Sequence, residues 1–209
     1  MVKTKKLSFF KLFLNLVTLF LILAISSCAS SYKRNADLVS LENIVKLDGK
    51  YSVYISENKL INKLSLKSED CESWQLDIEI DKAYKQSLKD ILFNMFEEVQ
   101  FTNKELSKED LKNSNIVAQI VIKNHSAESI FIVERNTAKF EFVLKTDVNV
   151  KSHFLTINNS VSTNKSWDNN IYLNCSANKG AYKAIQGALE SIISQIHNNI
   201  FSSIKSIKR

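Results

Sequence analysis

The chain has 209 residues with 28 basic and 22 acidic side chains, which gives a net charge of +6, and it contains three glycines and no proline. Gly49, Gly180 and Gly187 are far apart, whereas a phosphate-binding loop needs closely spaced glycines so that backbone amides can approach the anion. The sequence therefore excludes a P-loop, a dinucleotide-binding fingerprint and the nucleophile elbow of α/β hydrolases.

The first 27 residues have the layout of a secretory signal peptide. Lys3, Lys5, Lys6 and Lys11 form a basic head without an acid, and residues 12–25 form an apolar run. A membrane-spanning helix needs about 20 apolar residues, so this run is short for a permanent anchor. A basic head, a short apolar stretch and a small-residue end are typical of a cleaved leader. We predict a signal peptide over residues 1–27.

The end of the leader, Ile25-Ser26-Ser27-Cys28, resembles the lipobox of bacterial lipoproteins. The resemblance implies that the thiol of Cys28 receives a diacylglycerol, that cleavage occurs before it, and that the new amino terminus is acylated. Ala29, rather than an aspartate, follows the cysteine, which implies an outer-membrane destination facing the periplasm where the organism has one. Two alternatives stay open: ordinary cleavage after Ala29, and an uncleaved anchor.

Removal of the leader changes the charge and the number of cysteines. The mature chain has 24 basic residues against 22 acidic ones, so it lacks the basic excess of a nucleic-acid-binding domain. Cys71 and Cys175 remain as an even pair in a compartment that permits disulfides. A disulfide and two buried free thiols are equally compatible with this pair. Neither cysteine has a second Cys or His at ligand spacing, and we predict no metal site and no cofactor.

The mature chain predicts a lipidated tether over residues 28–45 and one domain over residues 46–209. Alternation of apolar and polar residues predicts strands at 51–56 and 74–80. Apolar residues then recur at three- and four-residue steps, which predicts an amphipathic helix that is capped by Asp81 and extends to Val99.

The second half of the domain repeats this order. Strands are predicted at 116–123, 129–134, 139–150 and 153–167, and a helix of about 25–30 residues is predicted from Tyr182 onwards. Strands followed by a helix, twice in succession, predict an α+β sandwich. In it, a mostly antiparallel sheet is covered on one face by two helices.

Few side chains in the sequence are candidates for a catalytic or binding site. His125 is expected in a turn, while His153 and His197 are far from it in sequence, and their spacing does not favour a Ser/His/Asp site. Trp74 is in phase with a strand and is expected in the core. Trp167 is expected in a polar loop, where it is a candidate partner contact. We therefore predict a protein that is not an enzyme.

The order of lipobox, tether, strands, helix, strands and long terminal helix is similar to that of the lipopolysaccharide-assembly lipoproteins and of the YajG-type lipoproteins. The lipobox, the absent catalytic motifs and an exposed polar sheet face favour a lipid-anchored accessory or scaffold protein of envelope assembly, and the resemblance implies outer-membrane assembly with an outer-membrane protein or a glycolipid as partner. The alternatives are a carrier lipoprotein for a small ligand or lipid, and an envelope hydrolase. Only Cys28 corresponds to a residue of a family motif.

Overall fold

A computed structural model describes residues 31–67, 75–134, 137–170 and 177–208. Within these ranges the chain forms eight strands and three helices, which confirms the α+β class. None of the helices in the described ranges is long and apolar enough to cross a membrane. In chain order the elements are β1 (Ser31–Asn35), β2 (Leu47–Ile55), β3 (Asn62–Lys67), β4 (Gln75–Glu79), α1 (Asp81–Met95), β5 (Phe96–Thr102), α2 (Lys108–Asn113), β6 (Ala118–Glu134), β7 (Thr137–Lys151), β8 (Thr156–Asn170) and α3 (Asn178–Ile207).

The main sheet is mixed, so the prediction of a mostly antiparallel sheet was wrong. Its strand order is β5-β2-β6-β7-β8, and β3 also pairs with β6. The pairs β2–β5, β2–β6 and β3–β6 are parallel, whereas β6–β7 and β7–β8 are antiparallel. Alternation of apolar and polar residues identifies a strand but does not give its direction. Here the chain passes from β3 through β4 and α1 before it enters β5, and a long crossover connection of this kind allows a parallel neighbour.

Strand β6 is one element of 17 residues, although the sequence predicted two strands with His125 in a turn between them. Its first part pairs with β2 and its last part with β3. The pairing with β7 shifts between Lys123 and Ser126, and Asn124 has a φ of 55°. Asparagine tolerates this left-handed conformation better than most residues. The polar residues at this irregularity concealed the continuity of the strand.

The core lies between the sheet and the helices. Helix α3 covers β7 and β8, as its apolar stripe predicts, and its 30 residues agree with the predicted length. On α3 the side chains of Ile185, Ile192 and Ile200 are fully buried, as are Phe140 and Phe142 on the facing strand β7. Burial of one such side chain stabilises the fold by about 1.5–3 kcal/mol.

Helix α1 differs from its predicted bounds at both ends. Ile80, not Asp81, is its N-cap, and no side chain caps this end. The carboxylate of Asp81 instead accepts a hydrogen bond from the backbone N–H of Leu60 at 2.8 Å. The helix stops at Met95, and Phe96 begins strand β5, so the prediction that the helix extends to Val99 was wrong.

Part of the predicted tether belongs to the folded domain. Within residues 28–45, β1 pairs with β4 in a separate parallel sheet, and the side chains of Ala36 and Val39 are buried. The backbone N–H of Val39 donates to Ser87 Oγ on α1 at 2.8 Å. The folded part of the chain therefore begins before residue 46. Trp74, predicted at the start of the strand that β4 forms, lies outside the described residues.

The sheet face opposite α1 and α3 is partly covered by the segment that follows β5. The buried side chain of Gln119 accepts a hydrogen bond from the Leu106 backbone N–H at 2.8 Å. It also donates to Thr102 Oγ1 and to the carbonyl of Lys104, both at 3.1 Å. Ser107 and Asp110 then form a capping box that starts α2, a helix too short for its period to be recognised in the sequence.

Helix α3 and strand β8 run in opposite directions and define two ends of the domain. At one end, Arg34 of β1 lies over the ring of Tyr182, near the start of α3, at 3.8 Å. We call this the β1 end. At the other end, Asn159 near the start of β8 donates to Ser203 Oγ near the end of α3 at 3.2 Å. Helix α2 also lies there, beside Ile207, and we call this the α2 end.

Candidate binding groove

Three of the residues that the sequence singled out cannot be placed. Cys28, the predicted lipidation site, and Cys71 and Cys175, the predicted pair, lie outside the described residues. Lipidation and the choice between a disulfide and free thiols therefore stay predictions.

Trp167 lies on strand β8 and not in a polar loop, which corrects its predicted placement. It pairs in register with Phe140 of β7 and packs half-buried against the core. Its ring occupies the space beside Gly180, because a Cβ atom at that glycine would lie 2.0 Å from Trp167 Cδ2. The polar residues around Trp167 belong to the exposed face of an edge strand, and this indicated a loop. Trp167 thus has a contact within its own chain.

The three histidines lie on separate elements. His125 is on β6, His153 is exposed in the turn after β7, and His197 is on α3. Nδ1 of His197 contacts Asn198 Oδ1 at 3.2 Å, and its ring stacks on Phe201. The structure therefore does not bring the histidines together in one cleft.

His125 belongs to a polar cluster beneath α1. Its Nδ1 lies 2.9 Å from Thr146 Oγ1 and 3.3 Å from the hydroxyl of Tyr84, whose ring it meets edge-on. Its Nε2 is buried and has no hydrogen-bond partner among the described residues. Burial lowers the pKa of His125 to about 4, and the positive charge of Lys85 acts in the same direction. Burial raises the pKa of the Tyr84 hydroxyl.

The arrangement of this cluster differs from that of a catalytic triad. The hydrogen-bond partners of His125 are a threonine and a tyrosine, and among the described residues no carboxylate is hydrogen-bonded to it. A catalytic histidine of the triad type needs a carboxylate that orients the ring and a nucleophile on the other nitrogen. In the described ranges, no group of three or more His, Cys, Asp or Glu side chains is placed to hold a metal ion.

The α2 end carries an open groove of about 290 Å³. Its walls come from three segments that are far apart in sequence: α2 with residues 115–117, the turn after β7, and the end of α3. The floor is apolar and the rim carries Lys112 and Lys208. Phe154 stands in the groove wall with 57% of its surface exposed, and Leu155 beside it is 41% exposed. We call this site the α2 groove.

Local sequence determines the shape of the α2 groove. Leu111 is the one apolar side chain of α2, and it is buried where α2 packs against the rest of the domain. Ser152 holds the neighbouring turn, since its hydroxyl accepts from the backbone N–H of Leu155 at 3.0 Å and its own N–H donates to the Leu155 carbonyl at 2.8 Å. This turn directs Phe154 outward. The groove can therefore receive an apolar group next to positive charge.

A second groove, of about 420 Å³, lies between α1 and the edge strand β5. Ile55 and Phe101 form its apolar part, and Lys85 and Lys89 of α1 line its other side. Lys85 is engaged, because its Nζ lies 3.0 Å from the Asp81 carboxylate and 3.0 Å from the Asn58 carbonyl. Sequence reasoning missed both grooves, since each is assembled from distant segments. The signal in the sequence was limited to the presence of Phe101 and Phe154, whose exposure only the structure shows.

Comparisons with known proteins give similarity of structure only. No family model and no curated protein matches the chain. A minor lipoprotein from Acinetobacter baumannii is similar over 74% of this chain and 94% of its own, with 11% identity and a TM-score of 0.41. A neuraminyllactose-binding hemagglutinin homolog from Helicobacter pylori is similar over 77% and 89%, with 11% identity and a TM-score of 0.42. A hypothetical protein from Chlamydia trachomatis is similar over 76% and 98%, with 9% identity and a TM-score of 0.38. With TM-scores below 0.5, these likenesses carry no argument about function.

Proposed function

We propose that this protein is a lipid-anchored envelope protein that acts by binding a partner rather than by catalysis. Its anchor is the acylated Cys28, and its place is the periplasmic face of the outer membrane. The observation that carries the proposal is the end of the leader, where a basic head and an apolar run of residues 12–25 are followed by Ile25-Ser26-Ser27-Cys28. The start of the folded domain agrees with cleavage before Cys28, since β1 begins three residues after that cysteine and cleavage there would remove no part of β1.

Binding is favoured over catalysis by the chemistry of the described side chains. The buried imidazole of His125 is held neutral among hydroxyl groups, and the other two histidines lie on different elements. The α2 groove, in contrast, offers an apolar floor and an exposed Phe154. Aromatic side chains, phenylalanine included, are enriched in protein interfaces relative to the rest of the surface. We therefore assign partner binding in envelope assembly to the α2 groove.

The anchor is tested by replacing Cys28 with serine. The wild-type protein should incorporate radiolabelled palmitate and fractionate with outer membranes, while Cys28→Ser should take up no label and keep its leader. Cys71→Ser is the matched control, because it removes a cysteine without touching the leader, and it should be labelled like the wild type. Labelled Cys28→Ser, or an unlabelled wild type, would contradict the anchor.

The binding role is tested by a photo-crosslinking residue at position 154 in living cells. Asn164, exposed on the edge strand β8, is the matched control position. Crosslinks from position 154 alone to an integral outer-membrane protein or to lipopolysaccharide support the assembly role. The alternative function, a carrier, is favoured by the 420 Å³ groove beside Phe101. A fatty acid or phospholipid that co-purifies in stoichiometric amount, without position-specific crosslinks, would replace the assembly role by the carrier role.

A further inference from the structure

We propose that the β1 end of the domain docks on the anionic lipid headgroups of the membrane that holds the anchor, so that the α2 groove faces away from the lipid. This inference rests on the acylated Cys28 of the proposed function. It adds an interaction surface, a chemical class of partner and a direction for the groove.

The length of the chain between Cys28 and β1 limits how far the domain can lie from the anchor. Three peptide units join Cys28 to Ser31, the first residue of β1. An extended chain spans at most about 3.3–3.6 Å per residue, so these two Cα atoms lie within about 11 Å of each other. The start of β1 is not a free linker, since each residue from Ser31 to Asn35 pairs with β4. An anchored Cys28 therefore holds the β1 end at the headgroup layer.

The β1 end is a continuous surface and not a single strand terminus. The guanidinium of Arg34 lies 3.8 Å from the ring centre of Tyr182, and the hydroxyl of Tyr182 donates to the Asp37 carboxylate at 2.5 Å. The backbone N–H of Asp37 also donates to Gln186 Oε1 of α3 at 3.1 Å. These contacts fix β1 to the first turns of α3. The strand that follows the anchor and the first turns of α3 therefore lie at the same end of the domain.

The charges on this surface fit anionic headgroups. Lys33 and Arg34 on β1 are exposed but pair with the carboxylates of Asp77 and Asp37 at 3.7 Å and 3.9 Å, so the unpaired positive charge of this surface comes from α3. Lys179 and Lys183 on α3 are exposed, lie one turn apart on one side of the helix, and form no ion pair among the described residues. A lysine close to an anionic membrane contributes about a fivefold factor to binding. The two free lysines therefore strengthen docking by about 30-fold together.

The α2 groove lies at the opposite end of the long axis. Strand β8 runs from Thr156, next to the turn that holds Phe154, to the region of Trp167, which packs on Gly180 near the start of α3. At about 3.3 Å per residue, the twelve steps from residue 156 to residue 168 span about 40 Å. With the β1 end on the headgroups, the groove opens toward the aqueous space and meets partners that come from that side.

The test measures fluorescence resonance energy transfer from a donor on the protein to acceptor-labelled lipids. The donor is placed either near the end of β8 or in the turn that precedes β8. Lipidated mature protein is reconstituted into vesicles of phosphatidylethanolamine with phosphatidylglycerol. A fluorescent donor is attached through an azide-bearing residue at position 168 or at position 153, both of which are exposed. Strong transfer from position 168 and weak transfer from position 153 is the expected result. Equal transfer from both positions, or stronger transfer from position 153, would overturn the proposal.

Two charge reversals of equal size separate headgroup docking from the anchor. Lys179→Glu/Lys183→Glu should shift the docking equilibrium by at least about 30-fold and remove the difference in transfer between the two donor positions. Lys108→Glu/Lys112→Glu, with the same spacing on α2, should leave that difference unchanged. Vesicle flotation reports the anchor separately. Both charge-reversal variants should float with the vesicles, whereas Cys28→Ser produced without residues 1–27 should not float, because it lacks the acyl chains. If the wild type floats but energy transfer from positions 168 and 153 is equal, headgroup docking is refuted and the anchor is not.

Discussion

Replacement of Gly180 by alanine would place a methyl group inside the ring of Trp167. A Cβ atom on Gly180 would lie 2.0 Å from Cδ2, 2.1 Å from Cε2 and 2.5 Å from Cγ of the indole. Carbon atoms in contact are normally about 3.5–4.0 Å apart, so the ring or the first turn of α3 has to move by about 1.5 Å. The ring has little freedom, because β8 pairs with β7 along its whole length and Trp167 packs against the core.

The expected magnitude follows from two opposing effects. Overpacking of a well-packed site destabilises a protein by about 1–3 kcal/mol. Alanine in place of glycine within a helix stabilises it by about 0.5–1 kcal/mol. For Gly180→Ala the first effect is larger, and we expect the free energy of unfolding to fall by about 1–2 kcal/mol. Gly187 on the same helix is the matched control, since a Cβ atom at this position would project into open space. Gly187→Ala should therefore raise the free energy of unfolding by about 0.5–1 kcal/mol.

The assay is urea unfolding of the mature chain followed by circular dichroism, with both variants measured against the wild type. The free energies of unfolding of the two variants should lie on opposite sides of the wild-type value and differ by about 1.5–3 kcal/mol. In a Trp167→Leu background the penalty of Gly180→Ala should disappear, because the smaller side chain leaves room for the added methyl group. Equal stability of Gly180→Ala and Gly187→Ala would refute the contact between α3 and β8, and with it the placement of Trp167.

Three further predictions concern buried polar groups. Because the pKa of His125 is lowered to about 4 in the folded state, its contribution to stability is complete above pH 6.5 and is lost as the pH falls toward 4. Over this range the wild type should lose about 2–3 kcal/mol more than His125→Gln, measured by urea unfolding. Gln119→Leu leaves the Leu106 N–H without its acceptor and should destabilise the domain by about 1–3 kcal/mol, with faster hydrogen exchange at residues 103–107. Ser87→Ala removes the acceptor of the Val39 N–H, so limited proteolysis should cut residues 36–45 sooner than in the wild type.

Periodicity predicted the elements whose faces differ in polarity along their whole length. Strand β7 alternates from Phe140 to Val150 because only one face meets the helices, and α3 has an apolar stripe because only one side meets the sheet. The direction of the strands was not accessible in this way, since a parallel and an antiparallel neighbour bury the same side chains. Parallel pairing of β2 with β5 and with β6 depends on the long connections through α1 and α2, which are a property of the whole chain.

The candidate sites were less predictable than the fold, for a related reason. Each groove brings together residues that are far apart in sequence, such as Leu111 with Ile207, and no local pattern reports such a meeting. His125 was expected in a turn because its neighbours are polar, yet those neighbours mark an irregularity inside β6. Trp167 was misplaced because an edge strand exposes one polar face that is indistinguishable from a loop.

The position of α3 in the chain has a consequence for the order in which the protein can fold. The side chains that it covers on β7, among them Phe140, Phe142 and Leu144, are fully buried in the finished domain. Their cover is synthesised after them, because α3 follows the strands of the sheet in the described part of the chain. A growing chain therefore carries an open apolar sheet face until α3 is available, and its core stays open until that point. A chain cut short within α3 would keep this face open permanently, which makes it a substrate for proteases rather than a shortened but working protein.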